Sequence, residues 1–551
     1  MHQLVLSFLL FICLLSPAAT LGQTVRLTPA ERRIAENITA DQMRDYLYFV
    51  ASDAMEGRET PSRGLDTVAE FLKLQLSRWD FKPAGDDGTF FQKIAVRYES
   101  PDPANTLLSV DGKQFVFGDD FFRAAGTGSA NALMVFAGNG WVVKSKNLDP
   151  YAGTDIHGKI LVLYSEAFPN RSTLIATPSG VTAADVSGTK GVDWSDPLTY
   201  ARKNGAAGIL VVASPQVQSG WSGVRQFYSR GSAFPEKLRD APAEGANPLP
   251  IMLVSSRVGD AIFEGTAMTP ATATTATTIN KTVSMTAVNK VDTKWTQNVV
   301  ALWEGSDPVL RNEMVAIGAH YDHVGTNPNA PGDDKIYNGA DDDGSGTVAV
   351  LSMAEALAKS KIRPRRSILL VWHCGEERGL WGSEYFNKFP TVDIKKVVSQ
   401  LNIDMIGRSL DPNNVIKCDA PRKRCNEELS KADEIYVIGT EMMSSTLAAV
   451  TKGTNDSYLK LSYNYKYDDP RDPNRFFFRS DHFNYAQNGV PIVFWFDGVH
   501  EDYHQPSDSP DKIDYTKMQK VARTIFLTMW ELAALPQRPK VDKQLPPELR
   551  R

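Results

Sequence analysis

Short apolar runs recur through the second half of the chain, and turn-forming or polar residues separate them. Runs of this length predict buried strands, whereas two longer stretches with apolar residues at helical spacing, 347–359 and 513–535, predict helices. Strands that alternate with helices predict an α/β domain with a mixed, mostly parallel sheet flanked by helices. The predicted strands are residues 298–303, 314–317, 367–372, 397–403 and 491–496.

The same α/β pattern begins near the N-terminus but is incomplete there. Three helix patterns and one strand pattern fall within residues 28–98. One strand cannot form a sheet alone, so we predict that residues 28–121 and 290–535 are two segments of one α/β domain.

The stretch between these segments, residues 122–285, has a different character. It contains short β-type runs that alternate with loops rich in Gly, Ser, Thr and Pro, which predicts an inserted β-rich domain. No cluster of His, Cys and acidic residues occurs in it, so we expect no chemistry there. At the other end of the chain, residues 536–551 are Pro-rich and charged, which predicts a flexible tail. The predicted strands of the insert are residues 132–136, 159–164, 208–213 and 250–254.

Length and charge set limits on the function. A chain of 551 residues is expected to hold more than one domain. The formal net charge of −5 gives no indication of a nucleic-acid or anionic membrane surface. We therefore expect no nucleic-acid partner, and the sequence gives no indication of the oligomeric state.

The first 22 residues predict a cleaved signal peptide. The chain is almost wholly apolar up to Ser16, and small residues follow before Gly22. This run is shorter than the ~20 residues of a membrane span, and no later segment is apolar enough to span a bilayer. We expect a secreted or periplasmic protein, in which Cys418 and Cys425 are close enough in sequence to form a disulfide and Cys374 is a buried thiol.

Candidate metal ligands follow four of the predicted strands. In open α/β sheets, ligands bind outside the carboxyl ends of the strands, so these residues are expected at one edge. Imidazole with carboxylate and no thiolate cluster suits catalytic zinc, and two histidines with several acids suit a two-metal site. No HExxH motif is present. The candidates after the four strands are His320 with Asp341, Asp342 and Asp343; Glu376 and Glu377; Asp404; and Asp497 with His504.

Five motifs resemble one family. GAHYDH, NGADDDGSG, GEERGLWGS, LNIDMIG and DYHQPSD, in this order, resemble the dizinc aminopeptidases of the clan that includes glutamate carboxypeptidase II and the transferrin receptor. The resemblance is strong over residues 300–535 and loose over 30–98. Residues 122–285 resemble a protease-associated (PA) domain, which is inserted in members of that family.

The resemblance implies a role for each matching residue. Glu376 matches the general base and Tyr503 the tyrosine that steadies the oxyanion, while Asp322 matches the residue that orients a metal-bound histidine. Asp342 matches the bridging carboxylate, and its neighbour Asp341 is the alternative. The implied ligands of two zinc ions per chain are His320, Asp342, Glu377, Asp404 and His504.

The implied function is a secreted zinc exopeptidase that removes N-terminal residues from peptides through a bridging water activated by two zinc ions. A carboxypeptidase or dipeptidase on the same scaffold is an alternative, and it would need a cationic clamp from Arg408, Arg422 or Arg479. A glutaminyl cyclase with one metal and a non-catalytic binding ectodomain are further alternatives.

The remaining polar residues near these motifs are expected in supporting positions. We predict that His323 and His500 lie in loops or outside the metal ligands. Asp481 and His482 match a family segment near the site but are not assigned to metal, and His373 is expected to be structural.

Overall fold

A computed structural model describes residues 25–165, 174–239, 249–268, 275–418 and 424–550. The chain divides into two compact units. Unit 1 comprises Met1–Ile94 and Trp295–Arg551, and unit 2 comprises Ala95–Lys294. The predicted signal peptide, residues 1–22, lies outside the described residues and stays a prediction.

Four parallel strands form the centre of unit 1. They lie side by side in the order Ser367–His373, Met314–His320, Val397–Ile403 and Ile492–Phe496. Every residue of the first three strands is buried, as expected for a parallel sheet covered on both faces. All four strands end at the same edge, so the predicted mixed α/β fold is confirmed.

Further strands, most of them antiparallel to their neighbours, and helices complete unit 1. Asn289–Trp303 pairs with Ser367–His373 and with the short strand Lys82–Pro83, while Glu434–Ile438 pairs with Ile492–Phe496 and with Ser462–Asn464. A small separate hairpin joins Gly325–Thr326 to Ile336–Tyr337. The helices are Pro29–Glu36, Ala40–Val50, Arg63–Arg78, Gly346–Lys359, Trp381–Lys388, Thr440–Met443, Ser445–Ser457, His482–Gln487 and Tyr515–Ala534.

The helix Gly346–Lys359 is central to unit 1 because it is buried on nearly every face. It packs on the strand Met314–His320 and also on the helices Ala40–Val50 and Tyr515–Ala534. A helix that is apolar all round belongs in a core, and this packing fixes the loop that precedes it.

Unit 2 is built on a second, eight-stranded sheet, with helices Pro197–Lys203, Pro215–Ser219, Trp221–Ser229 and Ser256–Phe263. Outside this sheet, Ser232–Pro235 pairs with residues 96–99 of the strand Phe91–Pro101, and Val142–Val143 pairs with Trp194–Ser195. The strand order in the main sheet is Lys113–Phe115, Leu107–Val110, Thr277–Ala287, Gly128–Phe136, Ile160–Ser165, Gly208–Ala213, Ile251–Val254 and Phe121–Ala125.

The division between the units differs from the predicted boundaries. Residues 95–121 were assigned to the first α/β segment, but they lie in unit 2. The reason is long-range pairing: Leu107–Val110 pairs with Thr277–Ala287, and Phe121–Ala125 pairs with Ile251–Val254. The resemblance of this unit to a PA domain stays a prediction.

The tail also differs from its prediction. Residues 536–551 were expected to be flexible, but Leu545 and Leu549 are buried in unit 1. The carbonyl of Leu549 accepts a hydrogen bond of 2.7 Å from Gln487 Nε2, and Lys543 N donates to Met443 O at 3.2 Å. Two leucines therefore anchor a segment whose other residues are mostly polar or proline.

Two further features concern the cysteines and the apolar character of the helices. Cys418 and Cys425 are joined by a disulfide, whereas Cys374 is a buried free thiol. None of the helices in the described part of the chain combines the length and the apolarity needed to cross a bilayer.

Candidate metal centre

The edge where the four parallel strands end carries the polar side chains singled out in the sequence. His320 is the last residue of the strand Met314–His320, and Asp404 directly follows Val397–Ile403. Glu376 and Glu377 follow the strand Ser367–His373, and the loop after Ile492–Phe496 brings His504. The sheet thus gathers residues that are up to 184 positions apart in sequence.

A tight loop, residues 339–345, places three aspartates against this edge. Gly339 has φ of +55°, and a Cβ at this position would lie 2.3 Å from Asp342 O and 2.5 Å from His323 Cγ. Only glycine fits there. At the other end of the loop, Ser345 Oγ donates a hydrogen bond of 2.8 Å to Asp341 O, directly before the buried helix begins.

Asp342 lies between two histidines. Its Oδ1 is 3.2 Å from His320 Nε2, and its Oδ2 is 3.0 Å from His504 Nε2. The side chain is nearly fully buried. A carboxylate whose two oxygens face two different imidazoles has the geometry of a bridging ligand.

The neighbouring aspartates are turned to other partners. Asp341 Oδ1 accepts a hydrogen bond of 2.7 Å from Gly407 N, and its Oδ2 lies 3.3 Å from His500 Nε2. Asp343 Oδ1 accepts hydrogen bonds from two backbone N–H groups, at 2.9 and 3.1 Å. Of the two candidates for the bridging position, the geometry therefore favours Asp342 over Asp341.

The first cluster surrounds His320. Its Nε2 lies 3.6 Å from Asp404 Oδ1 and 4.0 Å from Glu376 Oε2. Its Nδ1 is 3.2 Å from the backbone oxygen of Asp322, whose Oδ1 accepts a hydrogen bond of 3.2 Å from Glu376 N. Asp322 therefore contacts both His320 and the backbone of Glu376.

The second cluster surrounds Glu377. Its Oε2 lies 3.1 Å from His504 Nε2, and its Oε1 lies 2.8 Å from His323 Nδ1. His323 was expected outside the ligands, but it lies within the cluster, also 3.8 Å from Asp342 Oδ2. Its position three residues after His320 was the only sequence signal for this placement.

The ligand atoms can also be grouped differently by their mutual distances alone. Atoms of His320, Asp343 and Asp404 lie within 4.8 Å of one another, as do atoms of His323, Asp342 and Glu377. Both groupings contain two centres. Distance favours Asp342 for the His320 centre, because its Oδ1 lies 3.2 Å from His320 Nε2; Asp343 has one oxygen held by two backbone hydrogen bonds, and only its Oδ2 is without a partner in the described part of the chain.

The electrostatics of the clusters favour positive charge. Burial and Asp342 raise the pKa of Glu377, but the nearby His323 and His504 prevail and lower it to about 2. Burial lowers the pKa of His504, but Asp342 and Glu377 raise it to about 10. Burial raises the pKa of Glu376 well above its usual range, and the charge of Glu377 acts in the same direction although His320 opposes it.

Several polar atoms of the clusters are buried and make no well-oriented hydrogen bond in the described part of the chain, although Glu377 Oε1 lies 2.8 Å from His323 Nδ1 and Asp342 Oδ2 lies 3.0 Å from His504 Nε2. Such atoms are uncommon in native structures and need an explanation. A bound divalent cation would satisfy them, since imidazole nitrogens and carboxylate oxygens are its usual ligands. They are His320 Nε2, Asp342 Oδ2, His323 Nε2, Glu377 Oε1 and His504 Nε2.

Two further buried residues hold the aspartate loop in place. The Asp508 carboxylate accepts hydrogen bonds from Asp341 N at 3.1 Å and Asp342 N at 3.2 Å. The Arg58 guanidinium donates to Gly339 O at 2.9 Å and also to the backbone oxygens of residues 321 and 338. Neither residue is assigned a role from the sequence. Asp508 ends the motif DYHQPSD, whereas Arg58 carries no signal because these three backbone partners lie more than 250 positions from it.

A pocket opens beside Asp342, Glu376 and Asp404. Tyr503 lines it with its ring stacked on that of His504, at a centroid distance of 4.0 Å. Arg479 Nη2 donates a hydrogen bond of 3.3 Å to the Tyr503 hydroxyl. The other lining residues are apolar: Met405, Phe476, Phe494, Phe496 and Val499.

The three arginines considered as clamps for a substrate carboxylate differ in their surroundings. Arg408 is buried and donates to Asp502 Oδ2 at 2.9 Å, so it is occupied. Arg422 lies outside the described residues. Arg479 lines the pocket.

The other singled-out side chains lie in supporting positions. His500 is buried against Asp341, and Asp502 N donates a hydrogen bond of 3.3 Å to its Nδ1. His373 Nε2 lies 3.2 Å from a tyrosine hydroxyl within the core. The adjacent Asp481 and His482 are buried, and neither belongs to the two metal-ligand groups.

Comparison with known families matches residues 298–529 to the family described as Peptidase family M28. The matched range contains all the residues of the two clusters, and of the supporting residues it lacks only Arg58.

Curated relatives match part of the chain. The chain is 24% identical over 288 residues to leucine aminopeptidase 2 of Arthroderma otae, covering 48% of this chain and 51% of that protein. It is 29% identical over 255 residues to a probable leucine aminopeptidase of the same organism, covering 44% and 60%. The leupeptin-inactivating enzyme 1 of Streptomyces exfoliatus is 34% identical over 125 residues, covering 22% and 25%. The chain thus spans about half the length of the first two relatives.

Solved structures also match. The aminopeptidase from Aneurinibacillus sp. strain AM-1 aligns with a TM-score of 0.44 and 16% identity over 94% of this chain and 98% of that one. A Peptidase M28 precursor from Shewanella amazonensis SB2B aligns with a TM-score of 0.41 and 16% identity over 94% and 99%.

Replacing Asp508 by asparagine tests whether the aspartate loop depends on that carboxylate. The amide keeps the shape of the side chain but directs an NH2 group at one of the two backbone N–H groups. We expect Zn²⁺ to bind the metal-free protein ~10-fold to 100-fold more weakly, the usual effect of losing a residue that supports a ligand. Calorimetric titration measures the Zn²⁺ affinity of each metal-free protein, and the exposed Asp511→Asn is the control. Equal affinity in the wild type and D508N would contradict the supporting role.

Proposed function

We propose that this chain, whose residues 298–529 match Peptidase family M28, is a secreted zinc aminopeptidase with two zinc ions per chain. It would remove N-terminal residues from peptides. The observation that carries the proposal is the Asp342 carboxylate between His320 and His504, with Asp404 beside the first histidine and Glu377 beside the second. The names of the curated relatives, leucine aminopeptidases among them, support the same activity.

The residues present fit two metal ions. His320 and Asp404 would hold one ion and Glu377 and His504 the other, with Asp342 shared between them. The fit rests on buried candidate ligand atoms that make no well-oriented hydrogen bond in the described part of the chain and on a donor set of imidazole and carboxylate. His323, in contact with Glu377, would orient that carboxylate or join its centre.

When bound, two divalent cations supply positive charge that polarises the scissile carbonyl and lowers the pKa of a water. Glu376 lines the pocket beside the shared Asp342, and its carboxylate carries no metal in this assignment. Its carboxylate oxygen can therefore accept a proton from the attacking water and return it to the nitrogen of the leaving amine. The Tyr503 hydroxyl lines the same pocket and can donate a hydrogen bond to the carbonyl oxygen as negative charge develops there.

The pocket also supports action at the N-terminus. The carboxylates of Glu376 and Asp404, which line the pocket, can pair with the ammonium group of the first residue. The apolar wall that includes Phe476, Phe494 and Phe496 would contact the first side chain. A non-catalytic ectodomain is the weaker alternative because the ligand set and Glu376 are all brought together.

Secretion is part of the proposal. It rests on the signal-peptide pattern of residues 1–22, and the disulfide between Cys418 and Cys425 suits an oxidising compartment.

A panel of aminoacyl 4-nitroanilides, assayed with and without a chelator, tests the activity. We expect hydrolysis of substrates with an apolar first residue, loss of this activity in the chelator and its recovery with Zn²⁺. Blocking the substrate's amino group should prevent cleavage. Cleavage of N-blocked peptides with a free carboxyl end would instead indicate a carboxypeptidase.

Replacing Glu376 by glutamine tests the general base. The amide cannot accept the proton, so we expect kcat to fall by ~10²-fold to 10⁴-fold while the zinc content stays the same. Nitroanilide hydrolysis measures kcat, and metal analysis measures zinc. The control is Glu70→Gln, on an exposed face of the helix Arg63–Arg78. Near-full activity in E376Q would refute the assigned role.

A further inference from the structure

Arg479 is the one cationic side chain among the residues that line the described pocket. The other lining residues are three carboxylates and a set of aromatic and aliphatic side chains. The Arg479 side chain neither holds metal nor transfers a proton in the proposed function.

The ring surfaces around Arg479 hold its side chain in place. Its guanidinium carbon lies 4.8 Å from the centre of the Phe476 ring and 6.0 Å from that of Tyr503. Nη2 donates to the Tyr503 hydroxyl. Stacking on aromatic rings restricts a guanidinium without using its in-plane N–H donors.

The charge of Arg479 is not balanced by an ion pair within the described residues. No carboxylate oxygen there lies within 4.0 Å of its nitrogens, in contrast to Arg408, which is paired with Asp502. An exposed, ring-supported guanidinium in a substrate pocket is therefore available to a ligand.

We propose that Arg479 is a specificity-determining residue that binds a carboxylate of the substrate close to the scissile bond. The inference rests on the proposed aminopeptidase function and adds a substrate class to it. The planar guanidinium can give two parallel N–H···O bonds to a carboxylate, and this arrangement is stronger than a neutral hydrogen bond. The carboxylate has two possible sources, the C-terminus of a dipeptide or the side chain of an acidic first residue.

Two matched substrate pairs distinguish these sources. Leu-Gly and Leu-Gly-amide differ only in the C-terminal carboxylate, and the 4-nitroanilides of Glu and Gln differ only in the side-chain carboxylate. The quantity measured is the ratio of kcat/KM values within each pair, for the wild type, Arg479→Gln and Arg479→Lys. Arg475→Gln is the matched control, because Arg475 is exposed and stacks on Phe478, which is not among the residues that line the pocket.

We expect R479Q to lower the acid-to-amide ratio of one pair by ~10-fold to 100-fold, the usual range for a hydrogen bond to a charged group. R479K should give an intermediate ratio, because lysine keeps the positive charge but lacks the two parallel N–H donors of the guanidinium. R475Q should keep the wild-type ratio. The pair that responds identifies the carboxylate.

Two results would overturn the inference. If R479Q lowers kcat/KM equally for all four substrates, Arg479 acts through Tyr503 and not on a carboxylate, while the proposed aminopeptidase function stands. If the wild type cleaves none of the four substrates, both the inference and the proposed function fail.

Discussion

The carboxylate of Asp342 is almost fully buried, and its two oxygens face different histidines. Because an unpaired buried charge is costly, this arrangement requires positive charge on both sides. It also requires a backbone that cannot turn the side chain away. Asp508 and Arg58 supply that restraint from distant parts of the chain, through hydrogen bonds to the backbone of the loop around Asp342.

The parallel sheet explains how this loop meets its partners. Three strands end at one edge: Met314–His320, Ser367–His373 and Val397–Ile403. Each strand therefore places its candidate ligand at the same edge, and no long loop is needed to bring the ligands together. The buried helix Gly346–Lys359 fixes the far end of the aspartate loop. On the open side of the site, the pocket combines carboxylates with aromatic rings and Arg479, which allows recognition of charge as well as apolar bulk.

The sequence was sufficient where local pattern determines structure. The run 367–372 lies in the strand Ser367–His373, since a continuous apolar run forms a buried parallel strand whatever its neighbours are. The motifs at the strand ends likewise gave the ligand candidates. The sequence was insufficient where the position of a residue depends on contacts with residues far away along the chain. Residues 95–121 joined unit 2 through strands more than 100 positions away, and Leu549 anchored a tail whose composition predicted flexibility. His323 entered the second cluster for the same reason, because only the folded loop brings it to Glu377.

The most direct measurement is a crystal structure of the zinc-loaded protein with anomalous data collected at the zinc absorption edge. Two anomalous peaks are expected in unit 1, one on each side of the Asp342 carboxylate. One peak should be bounded by His320 and Asp404 and the other by Glu377 and His504. A single peak, or a peak bound by Asp343 with Asp342 outside its ligands, would contradict the bridging role.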